Sequence, residues 1–122
     1  MGKKILIVDD SKMMRQQVKF TLGEAGFEVI EAEDGVKALE QFSEHNDIAM
    51  AIVDVNMPNM DGFEFIDNLN LQKKTIPCMM LTTECKADMI EKARKAGCVK
   101  GWLVKPFRPN QLIEAVKKFS SE

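Results

Sequence analysis

Short unbroken apolar runs alternate along this chain with longer stretches in which apolar residues recur every three or four positions. The runs predict strands at residues 4 to 9, 28 to 32, 48 to 54, 78 to 82 and 99 to 104. Ile5-Leu6-Ile7-Val8 has no polar interruption, the pattern of a strand covered on both faces. Glu28-Val-Ile-Glu-Ala32 is flanked by acids and reads as an edge strand. Pro77 opens the fourth run, at a position where a missing amide proton is tolerated.

Between the runs the period lengthens to that of a helix. Residues 12 to 25 carry Met14, Val18, Leu22 and Ala25 on one face and stop at Gly26, a natural C-terminal cap. Asp34-Gly35 turns into a helix holding Val36, Leu39 and Phe42. Residues 63 to 71 place Ile66 and Leu69 inward, residues 87 to 96 end at Gly97, and residues 109 to 119 carry Leu112, Val116 and Phe119. Five strand–helix units in alternation predict an α/β fold, with a parallel sheet covered by helices on both faces.

In such a sheet the C-terminal strand ends open into one crevice, where ligands bind. Asp9 and Asp10 follow the first strand, Asp54 ends the third, Thr82 and Thr83 end the fourth, and Lys105 follows the fifth. Three carboxylates and one ammonium sum to −3 + 1 = −2, the charge that one divalent cation neutralises. Each residue also has an ordinary explanation. One acid of the pair could cap the next helix, although Ser11 would serve equally well. Asp54 could belong to the turn that Pro58, Asn59 and Gly62 support. A threonine at a strand end is unremarkable, and a lysine before Pro106 is merely held extended. The combination on four strands is far more specific than its parts. Magnesium takes oxygen ligands and few carboxylates, so Asp10, Asp54 and the Asn56 carbonyl would form a partial cage, with Asp9 one water away.

Composition narrows the setting. At 122 residues with 45% apolar and 30% charged side chains, residues 1–122 read as one domain. A net charge of −2 offers no general attraction to nucleic acid. Local runs such as Lys73-Lys74, Lys92 to Lys95 and Lys117-Lys118 read as solvated faces. Cys78, Cys85 and Cys98 make an odd count with no Cys-x-x-Cys pair, which fits a reducing cytoplasm better than a disulfide framework or zinc site, and Cys78 reads as core. No signal-like or membrane-length apolar run is present, so a cytoplasmic protein without membrane insertion is expected.

The stretches Ile-Leu-Ile-Val-Asp9-Asp10, Asp54-Val-Asn-Met-Pro-Asn-Met-Asp-Gly62, Leu81-Thr82 and Val104-Lys105-Pro106-Phe107 together resemble the response-regulator receiver domains of two-component signalling, over essentially the whole chain. The resemblance implies a flavodoxin-like sheet of strand order 2-1-3-4-5 and a phosphorylation switch. Asp54 would be the phosphoacceptor. Asp9 and Asp10 would hold Mg2+ with Asp54 and the Asn56 carbonyl, and Thr82 and Lys105 would contact the phosphoryl oxygens. A cis peptide before Pro106 would aim the lysine inward. Such a domain is a regulatory phosphoacceptor rather than a conventional enzyme, with magnesium-dependent self-phosphorylation and slow self-dephosphorylation. The donor would be a histidine kinase, because His45 is the only histidine here and follows a surface helix. Chain length, Asn56, Glu84 and Gly101-Trp102 before Leu103 bring the chain nearest to stand-alone chemotaxis regulators, whose output target is the flagellar motor switch. A stand-alone receiver in a phosphorelay or type IV pilus pathway is the alternative. Thr82, Thr83 and Trp102 are the expected switch residues, with Trp102 bulkier than the tyrosine or phenylalanine usual there. Asn56 and Glu84 would orient water or a phosphatase, and a monomer is expected.

Two other readings share part of the pattern. A flavodoxin-like electron carrier needs a Ser-, Thr- and Gly-rich phosphate loop after the first strand, where Asp10-Ser11-Lys12-Met13 stands. A small aspartyl phosphatase places its nucleophile on the first strand with a second acid two residues later, which Ser11 and Lys12 do not supply.

Overall fold

The computed structural model describes residues 3–55, 57, 60–72, 76–83 and 86–120. Five strands and five helices alternate: β1 (Lys4–Val8), α1 (Lys12–Glu24), β2 (Glu28–Ala32), α2 (Gly35–Glu44), β3 (Ile48–Asp54), α3 (Gly62–Leu71), β4 (Cys78–Thr82), α4 (Ala87–Ala96), β5 (Val99–Val104) and α5 (Pro109–Ser120). All strand pairs are parallel, in the order β2-β1-β3-β4-β5. The expected α/β flavodoxin-like architecture, with β2 at an edge, is therefore the observed one.

Alternation along each strand feeds two cores. Leu6, Val8, Ala51, Val53, Cys78 and Met80 pack under α2, α3 and α4 with Phe65, Ile66 and Leu69. Ile5, Ile7, Met50, Ile52, Met79 and Leu81 face the other way, onto Val18 and Leu22 of α1 and Leu112 and Val116 of α5. Burial of both faces explains why the central strands are continuously apolar rather than alternating.

Helix ends follow the sequence signals. Ser11, Asp34 and Asp61 each cap the helix after them by accepting a backbone amide, and Asp61 forms a reciprocal capping box with Glu64. Gly26 and Gly97 both take positive φ, 98° and 83°. Two details differ from the periodicity. In α2 the inward stripe runs through Gly35 and Ala38, and Val36 is exposed. In α3, which begins one residue early at Gly62, Phe65 is fully buried beside Ile66 and Leu69.

That early start is possible only for glycine. A Cβ on Gly62 would lie 2.6 Å from the backbone oxygen of Asp54, and the Gly62 amide donates to the Val55 carbonyl at 3.1 Å. α3 is thus seated directly on the end of β3. No helix among the described residues is long and apolar enough to cross a membrane.

Candidate functional site

Strand register gathers the charged residues. Val8 pairs with Val53, Asp54 with Leu81 and Thr82 with Val104, so the chain leaves each strand at nearly the same level. Backbone bonds carry the alignment past the last pairs: Asp9 donates to the Ala32 carbonyl at 3.1 Å, Val55 to Leu81 at 3.0 Å and Lys105 to Thr82 at 2.8 Å. The crevice lies where β1 and β3, neighbours in the sheet, send their chains to opposite faces.

Asp9, Asp10 and Asp54 each bring a carboxylate oxygen to within 4.8 Å of the others. The Lys105 ammonium reaches into this group, 3.1 Å from Asp9 Oδ2 and 3.6 Å from Asp54 Oδ2. The Asp9 side chain is wholly buried, Asp54 is 9% exposed and Lys105 18%. The lysine stem thus lies along the protein while its head balances two carboxylates at the crevice floor. Asp10, by contrast, is exposed. The Lys105–Pro106 peptide bond is cis. Thr82 is buried at the end of β4, beside this group, and Thr83 is exposed.

The helix-capping explanation for the acid pair fails. Ser11 itself caps α1, with its hydroxyl accepting from the Met14 amide at 3.2 Å. Asp9 Oδ1 accepts from the Ser11 amide at 2.9 Å, which fixes the Asp9 carboxylate, and Asp10 is exposed.

An all-oxygen set with three acids and one lysine suits a hard divalent cation such as magnesium. Asp9 accepts from the Ser11 amide and from Lys105, Lys105 also stands 3.6 Å from Asp54, and Asp10 is exposed beside them. Asn56 and Glu84 lie outside the described residues.

Sequence reasoning missed Arg15 and Glu31. The Arg15 guanidinium donates to the Asp9 carbonyl at 2.7 Å, while its Nε holds Glu31 on β2 at 3.2 Å. Lys19 adds a second cation to Glu31 at 3.5 Å. The only signal was Glu31, one of two acids on a short edge strand, preceded along the chain by a helix that carries Arg15 and Lys19.

Trp102 on β5 is half-buried, its ring 6.4 Å from that of Phe63 and tilted by 55°. Phe63 in turn lies under the Lys92 ammonium, 5.6 Å from the ring centroid. This aromatic pair joins β5 to the N-terminal turn of α3, whose first residue touches the end of the Asp54 strand.

Residues 5–117 match the family model described as the response regulator receiver domain. The chain is 43% identical to chemotaxis protein CheY1 of Helicobacter pylori over 118 residues, covering 93% of this chain and 94% of that one. It is 37% identical to chemotaxis protein CheY of Bacillus subtilis over 122 residues, 97% and 98% of the two chains. Among solved structures it is similar to Vibrio cholerae chemotaxis protein CheY4, with a TM-score of 0.91 at 40% identity, covering 98% of this chain and 99% of that one.

Proposed function

Because this chain belongs to the response regulator receiver domain family, we propose that Asp54 accepts a phosphoryl group from a histidine kinase and that the added charge reshapes a surface read by an output target. The family match over residues 5–117 supports reading residues 1–122 as a single receiver domain. The observation that carries the assignment of roles is the Lys105 ammonium bridging Asp9 and Asp54, with the exposed Asp10 beside them.

The Asp54 carboxylate attacks the phosphorus of a phosphohistidine in line with the departing imidazole nitrogen. An O–P bond forms as the P–N bond breaks, and the partner's imidazole leaves. Such transfers depend on positioning and on stabilising the equatorial oxygens. Lys105, 3.6 Å from Asp54, donates to one of those oxygens, and the Thr82 hydroxyl serves a second. Asp10, Asp54 and the Asn56 carbonyl would hold magnesium, which when bound supplies positive charge to the phosphoryl oxygens. Asp9 keeps Lys105 aimed, and with magnesium bound it would complete the cation's surroundings. Hydrolysis by an in-line water returns Asp54 to its free form, and we assign Asn56 and Glu84 the role of orienting that water or a phosphatase.

Phosphorylation places a near-dianion and three acceptor oxygens next to Thr82. Thr82 closes onto the phosphoryl group and draws Thr83 with it, and the space so vacated is taken by the Trp102 ring. The packing of Trp102 on Phe63 supports a coupling that reaches α3 and α4 as well as β5. The relatives named as chemotaxis proteins support chemotaxis as the pathway. We read the target as a flagellar motor switch protein and the regulator as a monomeric, cytoplasmic one.

Intact mass after incubation with a small acyl-phosphate donor tests this reading. One phosphoryl group should be gained with magnesium, and none with chelator or in Asp54→Asn. Labelling of Asp54→Asn to the wild-type extent would assign the acceptor elsewhere. Trp102 fluorescence unchanged while Asp54 is fully phosphorylated would refute the switch.

A further inference from the structure

The strongest chemistry outside the crevice is a pair of thiols at the opposite end of the sheet. Cys78 opens β4, and Cys98 immediately precedes β5. The Cys78 amide donates to the Cys98 carbonyl at 2.9 Å, which fixes the two backbones side by side. Their Sγ atoms are 4.0 Å apart, in hydrogen-bond contact, and both cysteines are unpaired by any disulfide. Both lie in the core under α3 and α4, with Cys78 fully buried and Cys98 3% exposed. An aliphatic side chain would fill either position, so packing alone does not call for sulfur at both.

We propose that Cys78 and Cys98 form an oxidisable dithiol that closes to an intramolecular disulfide across β4 and β5. The sulfurs must approach by about 2 Å to reach bonding distance, which side-chain rotation at two neighbouring strand ends can supply. Cys98 is the attacking group. Cys98 Sγ donates to Cys78 Sγ, and Cys78 Sγ donates to the Ile76 carbonyl at 3.4 Å. When Cys98 ionises, the Cys78 proton can turn to its sulfur, and this contact together with the Lys100 charge holds Cys98 below the ordinary thiol value although burial opposes it. Cys78 is raised well above the ordinary thiol value by the same hydrogen bond and by burial, and stays protonated. A depressed thiolate beside a protonated partner is the arrangement of a reactive and a resolving cysteine.

With a peroxide as oxidant the chemistry balances. The Cys98 thiolate attacks one peroxide oxygen, an S–O bond forms, the O–O bond breaks and hydroxide leaves. Cys78 then attacks the sulfur of the resulting sulfenic acid. The S–S bond forms, the S–O bond breaks, and the departing hydroxide leaves as water with the Cys78 proton. Two thiols lose two electrons in total and one peroxide is reduced to two waters. A dithiol reductant reverses the bond. The linkage spans 20 positions of the chain, a segment that contains Thr82 and the whole of α4. Oxidation therefore fastens the base of the segment that carries the phosphoryl-contacting threonine.

The test is titration of the full chain carrying Cys85→Ser with hydrogen peroxide, followed by intact mass and tandem mass spectrometry. The expected product has lost two hydrogens per chain, joins the Cys78 and Cys98 peptides, and is reversed by dithiothreitol. The linkage should be absent in the same chain with Cys98→Ala. Should that variant fail to fold, the linked peptide in the Cys85→Ser chain decides the matter alone. Oxygen added to Cys98 without any linked peptide would overturn the proposal. So would linkage only between two chains, or thiols that stay reduced in folded protein at excess peroxide.

Discussion

Replacing Gly62 with alanine probes the contact that seats α3 against the phosphoacceptor strand. The added Cβ would stand 2.6 Å from the Asp54 carbonyl oxygen and 3.0 Å from both Met80 Cε and Val53 Cγ1. Favourable non-bonded contacts lie near 3.5–4.0 Å, so the overlap with the oxygen is about 1 Å. The Met80 terminus can swing aside. The Asp54 carbonyl cannot, because β3 is bonded on both sides and Val55 beyond it donates to Leu81 at 3.0 Å. Overpacking of this kind costs about 1–3 kcal/mol, and a backbone obstacle puts Gly62→Ala near the upper end. Alanine's better helix propensity returns at most about 1 kcal/mol. The net loss of about 2 kcal/mol corresponds to a fall in Tm of roughly 6–10 °C for a chain of this size. Gly23→Ala is the control, since a Cβ there meets nothing within 4 Å. It should raise Tm by up to about 5 °C through propensity alone. Circular-dichroism melts of the two variants measure both effects. The rate of phosphorylation by a small acyl phosphate should also fall by about tenfold to a hundredfold in Gly62→Ala, because Asp54 itself is displaced. A Gly62→Ala protein that melts at or above wild type, while Gly23→Ala gains stability, would refute the close approach.

Three further outcomes follow from contacts in the structure. Lys105→Met leaves the buried Asp9 without its cation, and should cost up to about 3 kcal/mol in chelator, with much of it restored by magnesium; urea midpoints equal to wild type in chelator would contradict the bridge. In the Cys85→Ser chain, thiolate absorbance should show one group ionising below 9.0 and the other only well above it, whereas two groups rising together near 9.0 would mean the sulfurs share no proton. The hydrogen bond from Lys4, 3.0 Å away, holds Asp47 below the usual carboxylate value of 3.8. Its folded pKa is below its unfolded one, so the pair's contribution is present above pH 3.8 and is lost as pH falls through the lowered value. Lys4→Met should flatten that part of the acid-unfolding curve, and an unchanged acid limb would argue that the pair contributes nothing.

Some of this molecule is local, and the sequence determined it. Each strand and helix was legible because an unbroken apolar run, or a stripe near period four, is a statement about which neighbours can be buried. β3, β4, α4 and β5 fall on the predicted residues, bounded by Pro77, Gly97 and the acids that follow the strands. The crevice residues Asp9, Asp10, Asp54, Thr82 and Lys105 were legible for the same reason, as polar groups at the ends of strands too apolar to hold them elsewhere.

Other features exist only because distant segments meet. Periodicity could not say that Gly62 must lack a side chain, since the obstacle is a carbonyl oxygen on β3. Nor could it divide the acids into a buried Asp9, committed to Ser11 and Lys105, and an open Asp10, because that division depends on which way the chain turns after β1. Arg15 reaches Glu31 and the Asp9 carbonyl through the packing of α1 against an edge strand. Cys78 and Cys98 look unrelated along the chain, and become a pair only when β5 is laid beside β4. Burial pattern is written in the order of residues, whereas the partner of a buried polar group is set by strand order and register, which the sequence carries only through the whole fold.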